Sequence, residues 1–397
     1  MTDQSCRRVL TINAGSSSLK SALYEECPGK PPTQCLSADV SRVGWPGSRT
    51  QVKDYQGRVL LDEDGEVANH QAAIESLLKW ISQQPDYKQF DAVGHRIVHG
   101  GRRFSEPQLV TTALTDALNG LVKLDPDHLP QAIAGLEVTT KFYPDLPQVA
   151  CFDTAFHRHM PKVAQMYALP KEYFDEGVLR YGFHGLSYEY IVRELRALNG
   201  GSAGGRVVAA HLGNGASITA IRDGKSVDTS MGFTPTEGLV MGTRSGDLDP
   251  GVLVYLSLEK KMSADEIDDL INTKSGLLGV SGTSEDVRDL LDKQATQPSA
   301  AEAIDLFCYR AKKYIGAYAA VLGGLDTLVF AGGIGEHSAP IRSRICDGLE
   351  PFGVRVDHER NNANEPLISA DGSKIKIRVI KTNEDLIIAS HTLEVIN

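Results

Sequence analysis

Residues 9–24 read Val9-Leu-Thr-Ile-Asn-Ala-Gly-Ser-Ser-Ser-Leu-Lys-Ser-Ala-Leu-Tyr24. This stretch predicts an apolar strand, a loop of glycine and serine, and a second strand. A comparable unit lies far downstream, where residues 207–221 read Val207-Val-Ala-Ala-His-Leu-Gly-Asn-Gly-Ala-Ser-Ile-Thr-Ala-Ile221. Two copies of one strand-loop-strand unit indicate an internally duplicated fold.

The remainder of the chain alternates between helical and extended patterns. Apolar residues at helical spacing predict helices over residues 69–82, 129–140, 187–198, 265–272 and 300–321. Short apolar runs predict strands at 149–152, 325–330 and 375–380, and Asp223-Gly224 predicts a hairpin turn before a strand at 225–229. Thr382-Asn383 predicts the start of a last helix near Glu384. This alternation is typical of the α/β class.

Length and composition limit the kind of protein this is. A chain of 397 residues, 41% hydrophobic and 23% charged, is long enough for two or three globular domains. A net charge of −10 argues against a nucleic-acid partner, which would require a basic face. The sequence has no apolar run of about 18 residues, so we expect no membrane span. Six cysteines without a CxxC pair predict free thiols in a reducing cytoplasm, and no zinc site.

Two familiar phosphate-binding motifs are excluded. GxxxxGK[ST] does not occur, and Gly213-Asn-Gly215 lacks the third glycine of a dinucleotide fingerprint and precedes a strand where that fold has a helix. A glycine-rich turn between two strands can still bind phosphate through its backbone N–H groups, although either loop alone is equally compatible with an ordinary hairpin. A third cluster, Gly332-Gly333 and Gly335, favours phosphate binding. Two such loops with a later Gly-Gly-x-Gly are typical of the actin, Hsp70 and sugar-kinase superfamily.

Eight motifs resemble the acetate kinase family, and they occur in the family's order over nearly the whole chain. They are Asn13-Ala-Gly-Ser-Ser-Ser-Leu-Lys20, Gly94-His-Arg-Ile-Val-His-Gly-Gly101, Phe152-Asp-Thr-Ala-Phe-His157, Tyr181-Gly-Phe-His-Gly185, His211-Leu-Gly-Asn-Gly215, Gly242-Thr-Arg-Ser-Gly-Asp247, Gly333-Ile-Gly-Glu336 and Thr382-Asn-Glu384. The resemblance implies a duplicated, ribonuclease H-like α/β fold of the actin/Hsp70/sugar-kinase type. It implies two domains, residues 1–150 with 384–397 and residues 151–383, with an active-site cleft between them.

The resemblance also implies an activity. A member of this family transfers the γ-phosphoryl group of ATP reversibly and directly to acetate, giving acetyl phosphate and ADP, with Mg²⁺ or Mn²⁺ as cofactor, and it forms a homodimer. The family includes propionate and butyrate kinases, so these remain alternatives. An ATP-driven binding module of the actin or Hsp70 kind is a more remote alternative, and it would show no carboxylate-dependent turnover.

Carboxylate chemistry explains why arginines stand out. A carboxylic acid has a pKa of about 4 to 5, so the acceptor is already ionised at neutral pH and needs no general base. The difficulty is to bring this anion up to a polyphosphate, which requires cations. Arg96 and Arg244 lie in glycine-flanked loops, and a guanidinium can bind carboxylate or phosphate through two parallel bonds. By resemblance, Arg96 holds the acyl carboxylate and Arg244 stabilises the phosphoryl group in transit.

The same resemblance assigns the other site residues. His184 and His128 are active-site histidines, with His184 donating to the phosphoryl oxygens, and Asp153 is expected to orient Arg96 or a metal-bound water. Val98, Phe183 and Pro235 line the acyl pocket, and Asn13 and Glu384 hold Mg²⁺. The expected nucleotide contacts are Lys20, His211, Leu212, Gly213, Asn214, Gly215, Asp286, Val287, Arg288, Gly333, Ile334, Gly335, Glu336 and His337.

Two positions depart from the family pattern. His337 stands where asparagine is common. Asp127 precedes His128 where an apolar residue is usual, and an acidic residue at the pocket rim would favour acetate over longer acids. Alternatively the local backbone is shifted and Asp127 lies in solvent. The remaining histidines, including His95 and His99, match no HExxH-type metal spacing.

Overall fold

The computed structural model describes residues 6–15, 17–122 and 128–397. Its strands are β1 (Arg7–Ala14), β2 (Ser18–Glu26), β3 (Thr33–Ser41), β4 (Ser48–Asp54), β5 (Val59–Gly65), β6 (Ala92–Ile97), β7 (Gln108–Leu109), β8 (Gln148–Phe152), β9 (Arg206–Leu212), β10 (Ala216–Arg222), β11 (Lys225–Thr229), β12 (Thr327–Ala331) and β13 (Lys376–Val379). They form one sheet of eight strands and one of five.

The helices alternate with these strands. They are α1 (His70–Ser82), α2 (Thr112–Leu121), α3 (Leu129–Phe142), α4 (Lys162–Gln165), α5 (Lys171–Glu176), α6 (Gly185–Leu198), α7 (Pro250–Leu258), α8 (Ala264–Thr273), α9 (Gly276–Ser281), α10 (Val287–Lys293), α11 (Pro298–Leu322), α12 (Gly332–His337), α13 (Ala339–Cys346), α14 (His358–Asn362) and α15 (Glu384–Val395). The chain divides into two compact units, the first comprising residues up to Ala155 together with Asn383–Asn397, and the second Phe156–Thr382.

The first unit is a sheet covered on both faces. Its strand order is β5-β4-β3-β2-β1-β6-β8-β7. Since side chains alternate across a strand, Leu10 and Ile12 pack with α1 while Val9 packs with Ala389 and Leu393 of α15. The last helix of the chain thereby lies against β1, β6 and β8.

A glycine permits the close approach of α15 to the sheet. A Cβ atom added to Gly94 of β6 would lie 2.2 Å from Thr392 Oγ1 and 2.6 Å from Ile388 Cγ2. Real Cβ atoms do not approach other atoms this closely. Any larger residue at position 94 would therefore displace α15, and with it Glu384 at the start of that helix.

The second unit repeats the strand arrangement of the first. Its order is β11-β10-β9-β12-β13, in which β9 pairs antiparallel with β10 and parallel with β12. In the first unit β3-β2-β1-β6-β8 has the same order and the same directions. The predicted α/β fold is confirmed, and each of its two related sheets places one glycine-rich loop between its first two strands.

Local signals in the sequence match these elements closely. Asn69 caps α1 by accepting a hydrogen bond from Ala72 N at 2.9 Å, and Asn383 caps α15 by accepting one from Leu386 N at 2.9 Å. Asp223 and Gly224 both have positive φ, 51° and 81°, as a two-residue hairpin turn requires. The predicted helices at 129–140, 187–198, 265–272 and 300–321 correspond to α3, α6, α8 and α11.

The prediction of six free thiols is wrong. Cys6 and Cys27 form a disulfide, whereas Cys35, Cys151, Cys308 and Cys346 are free. The cause is the pairing of β1 with β2. Arg7 lies opposite Glu26 in this ladder, so the residues just outside it, Cys6 and Cys27, face each other. A search for CxxC spacing cannot detect a pair that is created by strand register.

None of the helices in the described ranges combines the length and the apolar character that crossing a lipid bilayer demands.

Candidate active site

The first glycine-rich loop connects β1 to β2. Gly15 N donates to Ser18 O at 2.8 Å, which closes the loop. Asn13, near the end of β1, lies directly opposite Lys20 of β2, and the Lys20 side chain is exposed. His70, the first residue of α1, lies against the backbone of Gly15 and Ser18, and its burial lowers its pKa. His70 was not singled out from the sequence, since an isolated histidine carries no local signal.

The first helical turn of α15 returns to this loop. Asn13 Nδ2 donates to Glu384 Oε2 at 3.0 Å, although 371 residues separate them in the chain. The neighbouring Asp385 accepts a hydrogen bond from Thr11 Oγ1 at 2.7 Å, and burial raises the pKa of Asp385 to about 6.

The donor set at Asn13 and Glu384 fits a hard divalent cation. An amide oxygen and a carboxylate are oxygen ligands, and Mg²⁺ is commonly held by one or two carboxylates together with waters and substrate phosphates. In the portion of the chain that the structure describes, the only group of three or more His, Cys, Asp or Glu side chains close enough to share a metal ion is Cys6, Glu25 and Cys27. Two of those are joined in the disulfide.

Arg96 and Asp153 form a buried ion pair in the first unit. Arg96 Nη2 donates to Asp153 Oδ2 at 2.7 Å, with the Asp153 side chain fully buried and that of Arg96 12% exposed. Parallel pairing of β6 with β8 brings them together, because Asp153 directly follows β8 and its N–H bonds to Ile97 O at 2.9 Å. Arg96 Nη1 also donates to Ala14 O at 3.2 Å, which ties the guanidinium to the end of β1.

Two further predicted residues lie in this unit. Val98 follows β6 and is buried, and His128 is partly buried as the N-cap residue of α3. Asp127, on which the expected acetate preference depends, lies outside the described residues, as does Leu124.

The second glycine-rich loop connects β9 to β10 in the second unit. His211 and Leu212 end β9, Gly213, Asn214 and Gly215 form the turn, and Gly213 N donates to Gly215 O at 3.1 Å. Asn214 is exposed. Gly242 lies so close that an added Cβ would be 2.0 Å from Asn214 Oδ1, so a larger residue there would push the Asn214 side chain aside.

His184 lies beside this loop in an unusual backbone conformation. Its φ of 59° and ψ of 27° are left-handed, which costs a non-glycine residue of the order of 1–3 kcal/mol. The His184 ring stacks on that of His211 with 4.3 Å between ring centres. His184 Nδ1 lies 2.9 Å from Ser217 Oγ, and His211 Nδ1 lies 2.7 Å from Ser187 Oγ.

Two side-chain nitrogens converge on the second loop. A Cβ atom built on Gly215 would lie 3.4 Å from His184 Nε2 and 3.5 Å from Arg244 Nη1. Arg244 Nη1 also donates to Pro235 O at 3.3 Å. The small space above Gly215 is therefore flanked by an imidazole and a guanidinium, an arrangement suited to an anionic oxygen.

A partly buried cluster braces the segment that carries Pro235. The Arg180 guanidinium donates to the Glu237 carboxylate and to the carbonyl oxygens of Thr229, Ser230 and Met231, and the Tyr167 hydroxyl also donates to Glu237. Phe183 is 1% exposed, and its carbonyl oxygen lies 3.0 Å from His157 Nε2. None of this bracing was evident from the sequence, because a brace of this kind has no motif.

The third glycine cluster begins α12 immediately after β12. Gly332 has a φ of 73°, and a Cβ there would be 2.7 Å from Leu212 O, so this cluster lies against the second loop. Gly333 is exposed, and nothing lies within 4 Å of its Cβ position. Glu336 is buried and its Oε1 accepts from Thr382 N at 3.1 Å, whereas the His337 side chain is 75% exposed. Ile334 and Gly335 complete this turn.

The remaining predicted nucleotide contacts lie at the start of α10. Asp286 is the N-cap residue and accepts from Arg288 N at 2.8 Å. The exposed Arg288 guanidinium pairs with the same carboxylate at 2.6 Å, and these bonds lower the pKa of Asp286. Val287 is buried, so only its backbone is available to a ligand.

Comparison with known proteins identifies the family that the sequence matches. The model of the acetokinase family matches residues 8–390. The acetate kinase of Methylocella silvestris is 46% identical over 98% of this chain and 98% of its own length. Among solved structures, Porphyromonas gingivalis acetate kinase has a TM-score of 0.86 at 39% identity, and a propionate kinase from Francisella tularensis has 0.90 at 36%. Each alignment covers 98% of this chain and 100% of the solved one.

Proposed function

The chain belongs to the acetokinase family, and we propose that it transfers a phosphoryl group reversibly from ATP to acetate, giving acetyl phosphate and ADP. It is then a phosphotransferase with a carboxylate acceptor. The observation that carries this proposal is the convergence of His184 Nε2 and Arg244 Nη1 above Gly215. Phosphoryl transfer to a carboxylate needs such positive and neutral donors and no general base.

Arg96 is assigned the binding of the acceptor carboxylate. Its charge is held in place by the buried Asp153 carboxylate and by Ala14 O. A guanidinium anchored in this way loses little side-chain entropy when it binds a carboxylate. Because Asp153 is engaged with Arg96, its proposed role is to orient that side chain and to balance its charge. Val98, Phe183 and Pro235 are assigned to the acyl pocket, and His128 to the acceptor side of the site.

The nucleotide is assigned to the glycine-rich loops and to the start of α10. Backbone N–H groups of residues 212–215 and 333–336 can approach phosphate closely because the glycines carry no side chain. Asp286, Val287, Arg288 and His337 are assigned to the nucleoside, and Lys20 and His211 to phosphate. Asn13 and Glu384 would hold Mg²⁺, which when bound neutralises charge on the phosphates.

The proposed chemical step moves one phosphoryl group and no proton. An acetate oxygen forms a bond to the γ-phosphorus while the bond from that phosphorus to the ADP oxygen breaks. Negative charge on the transferring group is stabilised by Arg244 and His184, which lie where they need no reorganisation during the reaction. Losing one preorganised donor of this kind typically costs about 10²–10³ in rate.

Propionate is the second candidate acceptor. Support comes from the Francisella tularensis protein described as a propionate kinase, which has a TM-score of 0.90. Initial rates of ADP release with acetate, propionate and butyrate, each over a full concentration range, test the choice. We expect the highest kcat/KM with acetate. A higher kcat/KM with propionate or butyrate would assign the longer acid as substrate.

We also propose a homodimer. Helix α7 has no buried residue and exposes Val252, Val254, Tyr255 and Leu258, an apolar surface that a second copy of this chain would cover. Sedimentation velocity tests this, with Val254→Asp as the interface variant and Val163→Asp, at an exposed residue of α4, as control. We expect a dimer that Val254→Asp alone dissociates. A wild-type monomer at micromolar concentration contradicts the proposal.

The cytoplasm is the proposed location, because the reaction consumes or produces ATP. The Cys6–Cys27 disulfide argues in the other direction, since such bonds are rare in a reducing compartment. Cell fractionation combined with thiol labelling tests the location and the redox state of this cysteine pair. We expect recovery in the cytoplasm, with Cys6 and Cys27 protected from labelling until a reductant is added, and recovery outside the cytoplasm contradicts this assignment.

A further inference from the structure

A buried hydroxyl lies between His184 and a tyrosine. Ser217 of β10 is fully buried, and its Oγ lies 2.9 Å from His184 Nδ1 and 2.5 Å from the Tyr188 hydroxyl. Tyr188 is likewise fully buried, one helical turn along α6 from His184. The three groups therefore form a continuous chain of hydrogen bonds. It ends at Nδ1 of His184, the ring nitrogen that does not point towards Gly215.

The proton arrangement in this chain decides what Nε2 can do. A serine hydroxyl has one hydrogen, so Ser217 donates to one neighbour and accepts from the other. A phenol is a stronger acid than an aliphatic alcohol, so the favoured arrangement has Tyr188 donating to Ser217 and Ser217 donating to His184 Nδ1. Nδ1 then carries a lone pair, and the proton of the neutral imidazole resides on Nε2.

We infer that Ser217 and Tyr188 are positioning residues that hold His184 with its proton on Nε2. This inference rests on the proposed function, in which Nε2 donates to a phosphoryl oxygen beside Arg244. The opposite tautomer would present a lone pair to that oxygen and would repel it. The ring is also held against rotation, because turning it by 180° would place a carbon in front of Ser217.

Two neighbouring contacts fix the same ring in place. His184 stacks on His211, which is itself held through Nδ1 by Ser187 Oγ. The carbonyl oxygen of Phe183, the preceding residue, lies 3.0 Å from His157 Nε2. These contacts fix where the ring lies, whereas Ser217 and Tyr188 determine which nitrogen carries the proton. Removing the hydroxyl should therefore change the protonation pattern without moving the ring far.

The test compares Ser217→Ala and Tyr188→Phe with a matched control. Thr219→Val is the control, because Thr219 is buried two residues along the same face of β10 and its hydroxyl pairs with Thr229 Oγ1 at 2.9 Å. We expect kcat to fall about 3- to 10-fold in Tyr188→Phe, which loses one hydrogen bond, and about 10- to 100-fold in Ser217→Ala, which loses two, with KM for ATP within about twofold. Thr219→Val should retain the wild-type kcat.

Nitrogen-15 NMR of histidine-labelled protein reads the tautomer without relying on turnover. The His184 signals are assigned by their loss in His184→Gln. We expect Nε2 to be protonated in the wild type, and a mixture of tautomers in Ser217→Ala. Should Ser217→Ala fail to fold, Tyr188→Phe provides the same comparison.

Several outcomes would overturn the inference. They are a wild-type His184 protonated mainly on Nδ1, a wild-type kcat in both variants, or an equal loss in Thr219→Val. Failure of the proposed function can be distinguished from failure of this inference. Absence of acetate-dependent turnover in the wild-type protein would contradict the proposed function, while the NMR spectrum would still report the tautomer of His184.

Discussion

His184 and Arg244 direct their nitrogens at one position, which a methyl group on residue 215 would occupy. His184 Nε2 lies 3.4 Å and Arg244 Nη1 3.5 Å from that position. Segments more than fifty residues apart in the sequence supply the two donors, His184 from the start of α6 and Arg244 from the glycine-flanked segment before α7. Their convergence on the second loop is the feature from which the proposed chemistry follows.

The first prediction concerns the space between these donors. Gly215→Ala should fold normally, because the added methyl group would be at ordinary van der Waals distance from its neighbours. It should nevertheless lower kcat by about 10²-fold or more, because it fills the place proposed for a phosphoryl oxygen. Gly316→Ala in α11 is the control, since nothing lies within 4 Å of its Cβ position. Thermal unfolding first checks that both variants are as stable as the wild type, and steady-state kinetics then measure kcat. An unchanged kcat in Gly215→Ala would mean that the reaction does not use this space.

The second prediction separates charge from geometry at Arg244. Its Nη1 donates to Pro235 O while flanking the space above Gly215, which a single ammonium group cannot reproduce. Arg244→Lys should therefore lose about 10²-fold in kcat, and Arg244→Ala at least as much. Circular dichroism checks that both variants fold. A near-wild-type kcat in Arg244→Lys would show that a point charge suffices and that the proposed geometry is wrong.

The third prediction links the two ends of the chain. Glu384→Ala removes the carboxylate that accepts from Asn13 Nδ2, and with it the charged oxygen ligand proposed for the metal. We expect the Mg²⁺ concentration for half-maximal rate to rise about 10- to 100-fold, as is typical when metal affinity is disturbed. Glu394→Ala is the matched control, on the same helix with its side chain 76% exposed. If the Mg²⁺ titration of Glu384→Ala overlays that of wild type, Glu384 is not a metal ligand.

The fourth prediction follows from the burial of His95, which lies next to Arg96 on β6. Burial lowers the pKa of His95 to about 3, whereas an unfolded histidine titrates near 6.5. Below pH 6.5 the unfolded state binds a proton that the folded state refuses, so stability is complete above pH 6.5 and is lost as pH falls towards 3. The loss from this residue is about 2 kcal/mol at pH 5.

Thermal unfolding of His95→Leu at pH 8 and pH 5 isolates this effect. The variant's Tm at pH 8 reports the packing change alone, and the further drop at pH 5 should be smaller than in wild type. His159→Leu, at an exposed histidine, should keep the wild-type drop. An equal drop in wild type and His95→Leu would show that His95 takes up a proton in the folded protein.

The fold class was predictable because its signals are local. The two strand-loop-strand copies, the hairpin at Asp223-Gly224 and the cap at Asn383 each depend on a few adjacent residues. Strands β3 to β5 were missed because their sequences are largely polar, and β5 exposes most of its residues. They are strands because each pairs with the one before it, beginning at β2, which local patterns do not reveal.

Motifs identify individual candidate site residues but not the contacts between them. Motifs named Asn13 and Glu384 together, but the bond between them depends on α15 packing against β1. Ser217 and Tyr188 lie next to recognised motifs without any signal of their own, because a serine in a strand and a tyrosine in a helix are common. Their part follows from the fold, which places Ser217 within hydrogen-bond distance of both His184 and Tyr188.

Acetate-dependent conversion of ATP is the most direct measurement of the proposed function. Phosphorus NMR of the protein with MgATP, with and without acetate, follows every phosphorus species at once. We expect acetyl phosphate and ADP to appear in equal amounts when acetate is present, and ATP to persist when it is absent. Release of inorganic phosphate at the same rate with and without acetate, and no acetyl phosphate, would contradict phosphoryl transfer to a carboxylate and favour an ATP-driven binding module.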